Sequence, residues 1–155
     1  MELSTVRHSL AHVMAAVVTQ MYPDTKLAIG PSIDNGFYYD FDFTQEWSGE
    51  ALKEIEKRMK KFIGRNFPFE HYTLPVDEAL EYYTKEENPY KIELIEELKA
   101  KGETEIGFYR VGEFVDMCRG PHVEFSKEIP MGFKLDKTAG AYWRGDEKNK
   151  MLTRI

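Results

Sequence analysis

Residues 27–43, LAIGPSIDNGFYYDFDF, decide the fold. Leu27-Ala28-Ile29 is strand-like, Asn35-Gly36 is a strong tight-turn dipeptide, and residues 37–43 carry aromatic side chains that favour strands. Successive strand residues point to opposite faces, so Phe37, Tyr39, Phe41 and Phe43 share one side and Tyr38, Asp40 and Asp42 the other.

Outward from this hairpin, the segments on either side read as helices. Over residues 4–22, Val6, Leu10, Val13, Met14, Val17 and Met21 recur at helical spacing, Ser4 or Thr5 can cap the start, and Tyr22-Pro23 stops the run. Residues 48–63 form a charged amphipathic helix, capped by Ser48 and ended by Gly64, with Leu52, Ile55, Met59 and Phe62 inward. A strand over 67–74 leads to two short helices, about 77–87 and 90–101, separated by Asn88-Pro89 and ended by Gly102. Strands follow over 106–111, 113–118, 132–143 and 150–155, with the last hairpin turn at 145–149. The expected class is α+β: a mostly antiparallel sheet packed on the N-terminal helix, with a small inserted helical subdomain. One domain spans 1–155, and about 46–104 is its helix-rich insertion. The chain ends on a strand with no polar tail, which suggests a piece of something longer.

Hydrophobic residues make up 42% and aromatics 14%, enough for a core, which excludes a disordered chain. A single cysteine rules out an internal disulfide framework and fits a reducing cytosol. No run approaches the roughly 18 apolar residues of a membrane helix, and residues 1–5 are too polar for a secretory leader. A cytoplasmic protein is therefore expected. The net charge of −6 argues against non-specific nucleic-acid binding, but its distribution is uneven. Residues 106–155 hold nine Lys/Arg against seven Asp/Glu, so any contact with RNA phosphates falls to Lys134, Lys137, Arg144, Lys148, Lys150 and Arg154. An ordinary solvated basic face explains the same residues.

Two short patterns carry chemistry. His8 and His12 lie four apart on the first helix, on one face, beside the small residues Ala15 and Ala16. Alone, such a pair is as well explained as a helix-surface feature. Cys118-Arg119-Gly120-Pro121-His122 cannot be helical, because proline breaks the helical ladder, so a strand end and a bend bring Cys118 and His122 towards one point. A lone intracellular cysteine is otherwise a buried small hydrophobe. Together the two patterns use three of the four histidines and the sole cysteine. The fourth, His71, reads as surface or structural.

At these residues the sequence resembles the editing domains of threonyl- and alanyl-tRNA synthetases, which share H-x-x-x-H followed by C-x-x-x-H. Arg7-His8-Ser9-Leu10-Ala11-His12, Ala28-Ile29-Gly30-Pro31, Asp34-Asn35-Gly36-Phe37-Tyr38-Tyr39-Asp40, Asp116-Met117-Cys118-Arg119-Gly120-Pro121-His122 and residues 137–146 (KTAGAYWRGD) are similar to the threonyl branch specifically. The resemblance implies a hydrolase acting on serine wrongly esterified to the acceptor end of threonine tRNA, with the remaining synthetase domains in the full-length chain. His8, His12, Cys118 and His122 would position a water and shuttle protons. The resemblance adds Lys91 and Asp116 to the catalytic set, and Tyr39, Gly30 and Arg119 to the substrate-binding set. From residue type alone, Lys91 is a solvated lysine, Asp116 a turn aspartate and Tyr39 a core tyrosine.

Two other chemistries compete. Cys118 can be read as a nucleophile paired with His122 or His8. His8, His12, Cys118 and His122 also form a legitimate tetrahedral zinc set, as the alanyl branch implies, whereas the threonyl branch implies that no cofactor is required. Outside enzymology, the chain can be read as a module that binds the tRNA acceptor end, or as a free-standing trans-editing factor.

Overall fold

A computed structural model describes residues 2–45 and 47–155; residue 46, the expected start of the helical insertion, lies outside them. The class is α+β, and all strand pairing is antiparallel.

Helix α1 spans Leu3–Met21 and is buried without interruption from Ser9 to Val18. A helix apolar on all sides can only be stable inside. Ala11, Ala15 and Ala16, each at most 1% exposed, let neighbouring elements approach closely. The expected Ser4 or Thr5 cap is not made: the helix begins at Leu3, with Glu2 at its N-cap, whose carbonyl accepts from Thr5 and Val6.

Strand β1 (Lys26–Leu27) is followed by β2 (Ser32–Ile33), β3 (Gly36–Phe37) and β4 (Asp40–Asp42). The expected continuous strand over 37–43 is therefore broken. β2 and β3 form a two-stranded hairpin, whereas β4 pairs with β1 on one side and β9 on the other. The break falls where Tyr39 exchanges both backbone hydrogen bonds with Ile155. The hairpin corner is Asp34-Asn35, one residue earlier than expected, because Ile33 pairs with Gly36. Arg7 of α1 donates to the carbonyls of Ile33 (3.1 Å) and Asp34 (2.7 Å), tying the hairpin to the helix.

Ser48 accepts from Glu50 and starts a short 3-10 turn, Gly49–Ala51, ahead of α2 (Leu52–Gly64). Ile55, Met59, Phe62 and Ile63 of α2 join α1 in the larger core. Beyond it, β5 (Phe69–Pro75), β6 (Glu105–Val111) and β7 (Phe114–Met117) form a three-stranded sheet. Helices α3 (Val76–Lys85) and α4 (Pro89–Ala100) pack there around a second core that includes Val76, Tyr83, Ile95 and Phe108. Asn88 begins α4 by accepting from the Tyr90 and Lys91 backbone N–H groups, and its amide donates to the Leu27 carbonyl at 2.8 Å. This bond fixes where α4 meets β1.

Strands β8 (Ala139–Tyr142) and β9 (Met151–Arg154) complete a four-stranded sheet of order β1-β4-β9-β8. Among the described residues the strands thus form three sheets instead of the one expected. The expected strand over 132–143 survives only as β8. Upstream of it the Leu135 N–H donates to the Glu56 carboxylate at 2.8 Å. Among the described residues no helix is long and apolar enough to cross a membrane.

Candidate active site

Five short segments line one cavity of about 300 Å³. α1 contributes His8 and His12. The β1–β2 connection supplies Ile29, Gly30 and Pro31, and the break before β4 supplies Tyr39. α4 brings Lys91 and Leu94, and the end of β7 brings Asp116, Met117, Cys118 and Arg119. All the residues singled out from sequence line it except His122, which lies one layer behind.

The first half of the site is a stack of imidazoles against a thiol. His8 Nε2 is 3.3 Å from Cys118 Sγ, and the Gly120 N–H donates to the same sulfur at 3.2 Å. The His122 ring sits 4.6 Å from that of His8 and 4.8 Å from that of His12. Ser9 orders His122 from beneath. Its hydroxyl donates to the Thr5 carbonyl (2.8 Å) and accepts from the Val123 N–H (3.0 Å), so at 3.3 Å it can only accept again from His122 Nδ1. The proton of His122 therefore sits on Nδ1, and Nε2 carries the lone pair. The Nε2 atoms of both His12 and His122 are buried without a hydrogen-bond partner among the described residues.

The bend that carries His122 is pinned just beyond it. Phe69 donates to the Glu124 carbonyl, and Ser126 bridges the Phe67 N–H and the Ile63 carbonyl. Gly120 has φ 81°, and a Cβ there would run into the Tyr109 hydroxyl, so the backbone passes where only glycine fits.

Burial pushes every titratable group of this half towards its neutral form. The His8 pKa is lowered, chiefly by burial, with the hydrogen bond it donates to the Pro121 carbonyl opposing. His12 is driven down to about 4 by burial, and His122 is driven well down by burial and by its histidine neighbours. Burial raises the Cys118 thiol to about 11, so at pH 7 it is a protonated thiol.

The second half is a closed polar network. Lys91 and Asp116, each 3% exposed, pair at 3.2 Å (Nζ to Oδ1). Lys91 also donates to the Tyr39 hydroxyl at 3.0 Å, and Tyr39 donates to Asp116 Oδ2. From residue type alone Lys91 reads as a solvated lysine and Asp116 as a turn aspartate, but they form the buried floor of the cavity. For Lys91 the reason is the Asn88 cap, whose amide reaches the Leu27 carbonyl and turns the first residues of α4 inward against β1. Tyr39 stays neutral, its pKa held well up by burial first and by Asp116 second. Gly30 makes room for it, since a Cβ at that position would overlap the Tyr39 ring.

Arg119 stands at the rim with its side chain largely exposed, 3.7 Å from Glu103. His71 is exposed, but its ring lies 4.9 Å from Tyr109, which in turn packs on His122. Sequence reasoning missed Ser9, Leu94 and Tyr83. Leu94 was recoverable, being one turn from Lys91 on the same helix face. Tyr83 carried no signal, because an aromatic at helical spacing reads as core.

A metal would find three donors here, where the zinc alternative named four. The ligand atoms of His8, Cys118 and His122 lie within 4.8 Å of one another, and His12 is not part of the group. Such a trio, with the lone pair of His122 Nε2 unused, fits a tetrahedral ion with one position left over.

Residues 106–155, which include the second motif, match the family described as threonyl and alanyl tRNA synthetase second additional domain. Across nearly its whole length the chain is similar to threonine–tRNA ligases. It is 52% identical over 149 residues to that of Acetivibrio thermocellus, covering 96% of this chain and 23% of that protein. It is 56% identical over 151 residues to that of Clostridium botulinum (strain Alaska E43 / Type E3), covering 97% and 23%. It is 47% identical over 153 residues to that of Thiobacillus denitrificans, covering 99% and 24%. The chain thus spans about a quarter of the length of these relatives. With both histidine motifs in one cavity, residues 106–155 match the threonyl and alanyl tRNA synthetase second additional domain family, and nearly the whole chain is similar to one segment of threonine–tRNA ligases.

Proposed function

We propose that this chain is the editing hydrolase of a cytoplasmic threonine–tRNA ligase, removing serine wrongly esterified to threonine tRNA. The observation that carries the reading is the pairing, in one cavity, of a neutral imidazole beside a protonated thiol with a buried lysine–aspartate pair. Serine lacks one methyl of threonine, and a pocket discriminates a methylene by only about 1–3 kcal/mol. A ligase cannot exclude the smaller amino acid by size, so a second, tighter site that hydrolyses the wrong ester supplies the selectivity.

His8 is the base. It is neutral near pH 7 and half-exposed to the cavity, whereas His12 at about 4 is too weak and His122 is behind. Lys91 carries three N–H donors, two of which are used by Asp116 and Tyr39, and the third serves the water or the developing oxyanion. Asp116 receives the α-ammonium of the seryl group. Tyr39 walls the pocket over Gly30, and Arg119 guides the substrate at the rim. A thiolate attack fits poorly, because the Cys118 thiol stays protonated until about pH 11.

The partner is the acceptor end of the tRNA. Of the basic residues in the last third, Arg144 is held by Glu93 and Glu97, Lys150 faces Asp42 at 3.8 Å, and Arg154 is bound by Asp40. Lys134, Lys137 and Lys148 make no such ion pair among the described residues and are the phosphate contacts.

Incubation with Ser-tRNA and Thr-tRNA bearing the threonine anticodon tests the reading directly. The seryl ester is cleaved and the threonyl ester spared; equal decay at saturating protein, or no decay of either, ends the assignment. A binding module would retain both esters. A metal-assisted variant is favoured by the trio of donor atoms within 4.8 Å. A metal held by His8, Cys118 and His122 would supply an acidified water. Loss of activity in chelator and its return on adding zinc would select that variant.

A further inference from the structure

The Asp116 carboxylate is approached from two sides. From the cavity side come Lys91 and Tyr39. From the opposite side, through the second core, comes Tyr83 of α3, a residue that does not line the cavity. The Tyr83 hydroxyl accepts from the Met117 N–H at 2.9 Å, which commits its proton to Asp116 Oδ1 at 3.2 Å. Its ring is buried at 4% exposure and lies nearly parallel to Phe108, 6.0 Å between centroids.

The two carboxylate oxygens are consequently unequal. Oδ1 accepts from Lys91 (3.2 Å), Tyr83 (3.2 Å) and the Met117 N–H (3.0 Å), which exceeds its two lone pairs. Oδ2 accepts from Tyr39 alone among the described residues. A cation arriving from the cavity therefore has one lone pair to meet, and it is on Oδ2. Torsion of the carboxylate about its own bond would exchange the oxygens and remove that distinction.

We infer that Tyr83 is a positioning residue for substrate recognition: by anchoring Oδ1 from behind, it presents Oδ2 of Asp116 to the α-ammonium of the aminoacyl group. This rests on the hydrolase reading above and deepens it by naming what makes the site selective for a free amine. Lys91 and Tyr39 act in the cavity itself, whereas Tyr83 reaches the substrate only through Asp116.

The experiment compares two substrates, Ser-tRNA and N-acetyl-Ser-tRNA, in the wild-type chain and in Tyr83→Phe. The acetylated ester has no ammonium to dock, so the wild-type protein hydrolyses it more slowly. Losing a hydrogen bond to a charged group corresponds to roughly a tenfold to hundredfold change. Tyr83→Phe should lose that factor on Ser-tRNA, mainly through KM, while its rate on N-acetyl-Ser-tRNA stays the same. A merely structural tyrosine would depress both substrates equally. Equal losses, an unchanged ratio, or a wild-type protein indifferent to acetylation would each overturn the inference while leaving the hydrolase intact. A wild-type protein that cleaves neither ester would instead overturn the hydrolase reading. Should thermal melts show Tyr83→Phe unfolded, 3-fluorotyrosine at position 83 keeps the ring and alters only the donor strength. The ratio of the two rates must then change, and a constant ratio counts against the role.

Discussion

The two halves of the cavity handle burial in opposite ways. In the histidine–cysteine half every titratable group is pressed towards neutrality, and two imidazole nitrogens are left without partners among the described residues. In the lysine–aspartate half a buried ion pair is kept, partnered by Tyr39, Tyr83 and Met117, with one Lys91 N–H and one Oδ2 lone pair left over among the described residues. Isolated buried charges are too costly to keep, so burial either neutralises a group or demands partners for it. One half thus offers lone pairs that can take a proton, and the other offers a fixed field that orients a charged substrate. The first should be chemically indispensable but structurally dispensable, and the second should be both.

The sharpest test of that contrast is Lys91→Ala. Removing one member of a buried pair leaves the other uncompensated, which costs roughly 3–5 kcal/mol of stability. Urea unfolding of Lys91→Ala beside His8→Ala should show the first far less stable than the second. Equal midpoints would mean that the two halves do not differ as described.

His8→Ala should break only the chemistry. Loss of a positioned base slows hydrolysis by roughly 10²–10⁴-fold, and Cys118→Ser should retain far more activity, since a thiol that is protonated at pH 7 is not the attacking group. A seryl-enzyme adduct seen by mass spectrometry would reverse that order and make the sulfur the nucleophile.

Acid should expose the neutral half. The folded-state pKa of His12 is about 4 against 6.5 unperturbed, so its contribution is complete above pH 6.5. As pH falls from 6.5 to 4 the unfolded chain takes up a proton that the folded chain refuses, and stability declines by on the order of 3 kcal/mol. His8 and His122 shift in the same direction. In His12→Phe this part of the decline should disappear from melts recorded across that range.

The smallest expected effect joins the halves at Gly30. A methyl group there overlaps the Tyr39 ring and must displace it from Lys91 and Asp116. Overpacking of this kind costs about 1–3 kcal/mol. Gly30→Ala should therefore weaken deacylation together with stability, and a double variant with Tyr39→Phe should show non-additivity in both.

How much of this was legible beforehand follows the same division. The helix carrying His8 and His12, the bend at Gly120-Pro121 and the α+β class all follow from residue type and spacing over a few positions, which is what local sterics and periodicity control. The break of residues 37–43 into two strands was not legible, because Tyr39 pairs with Ile155 at the far end of the chain. The capping asparagine and the proline beside it were readable, but that the Asn88 amide would reach the Leu27 carbonyl and turn Lys91 into the floor of the cavity was not. Burial itself is a tertiary property, and it decides which histidines are neutral, that the thiol is protonated, and that Asp116 is held by Tyr83 from behind. Residue types set which chemical groups are available, whereas the packing of distant segments sets their protonation, because desolvation depends on what surrounds a group and not on its neighbours along the chain.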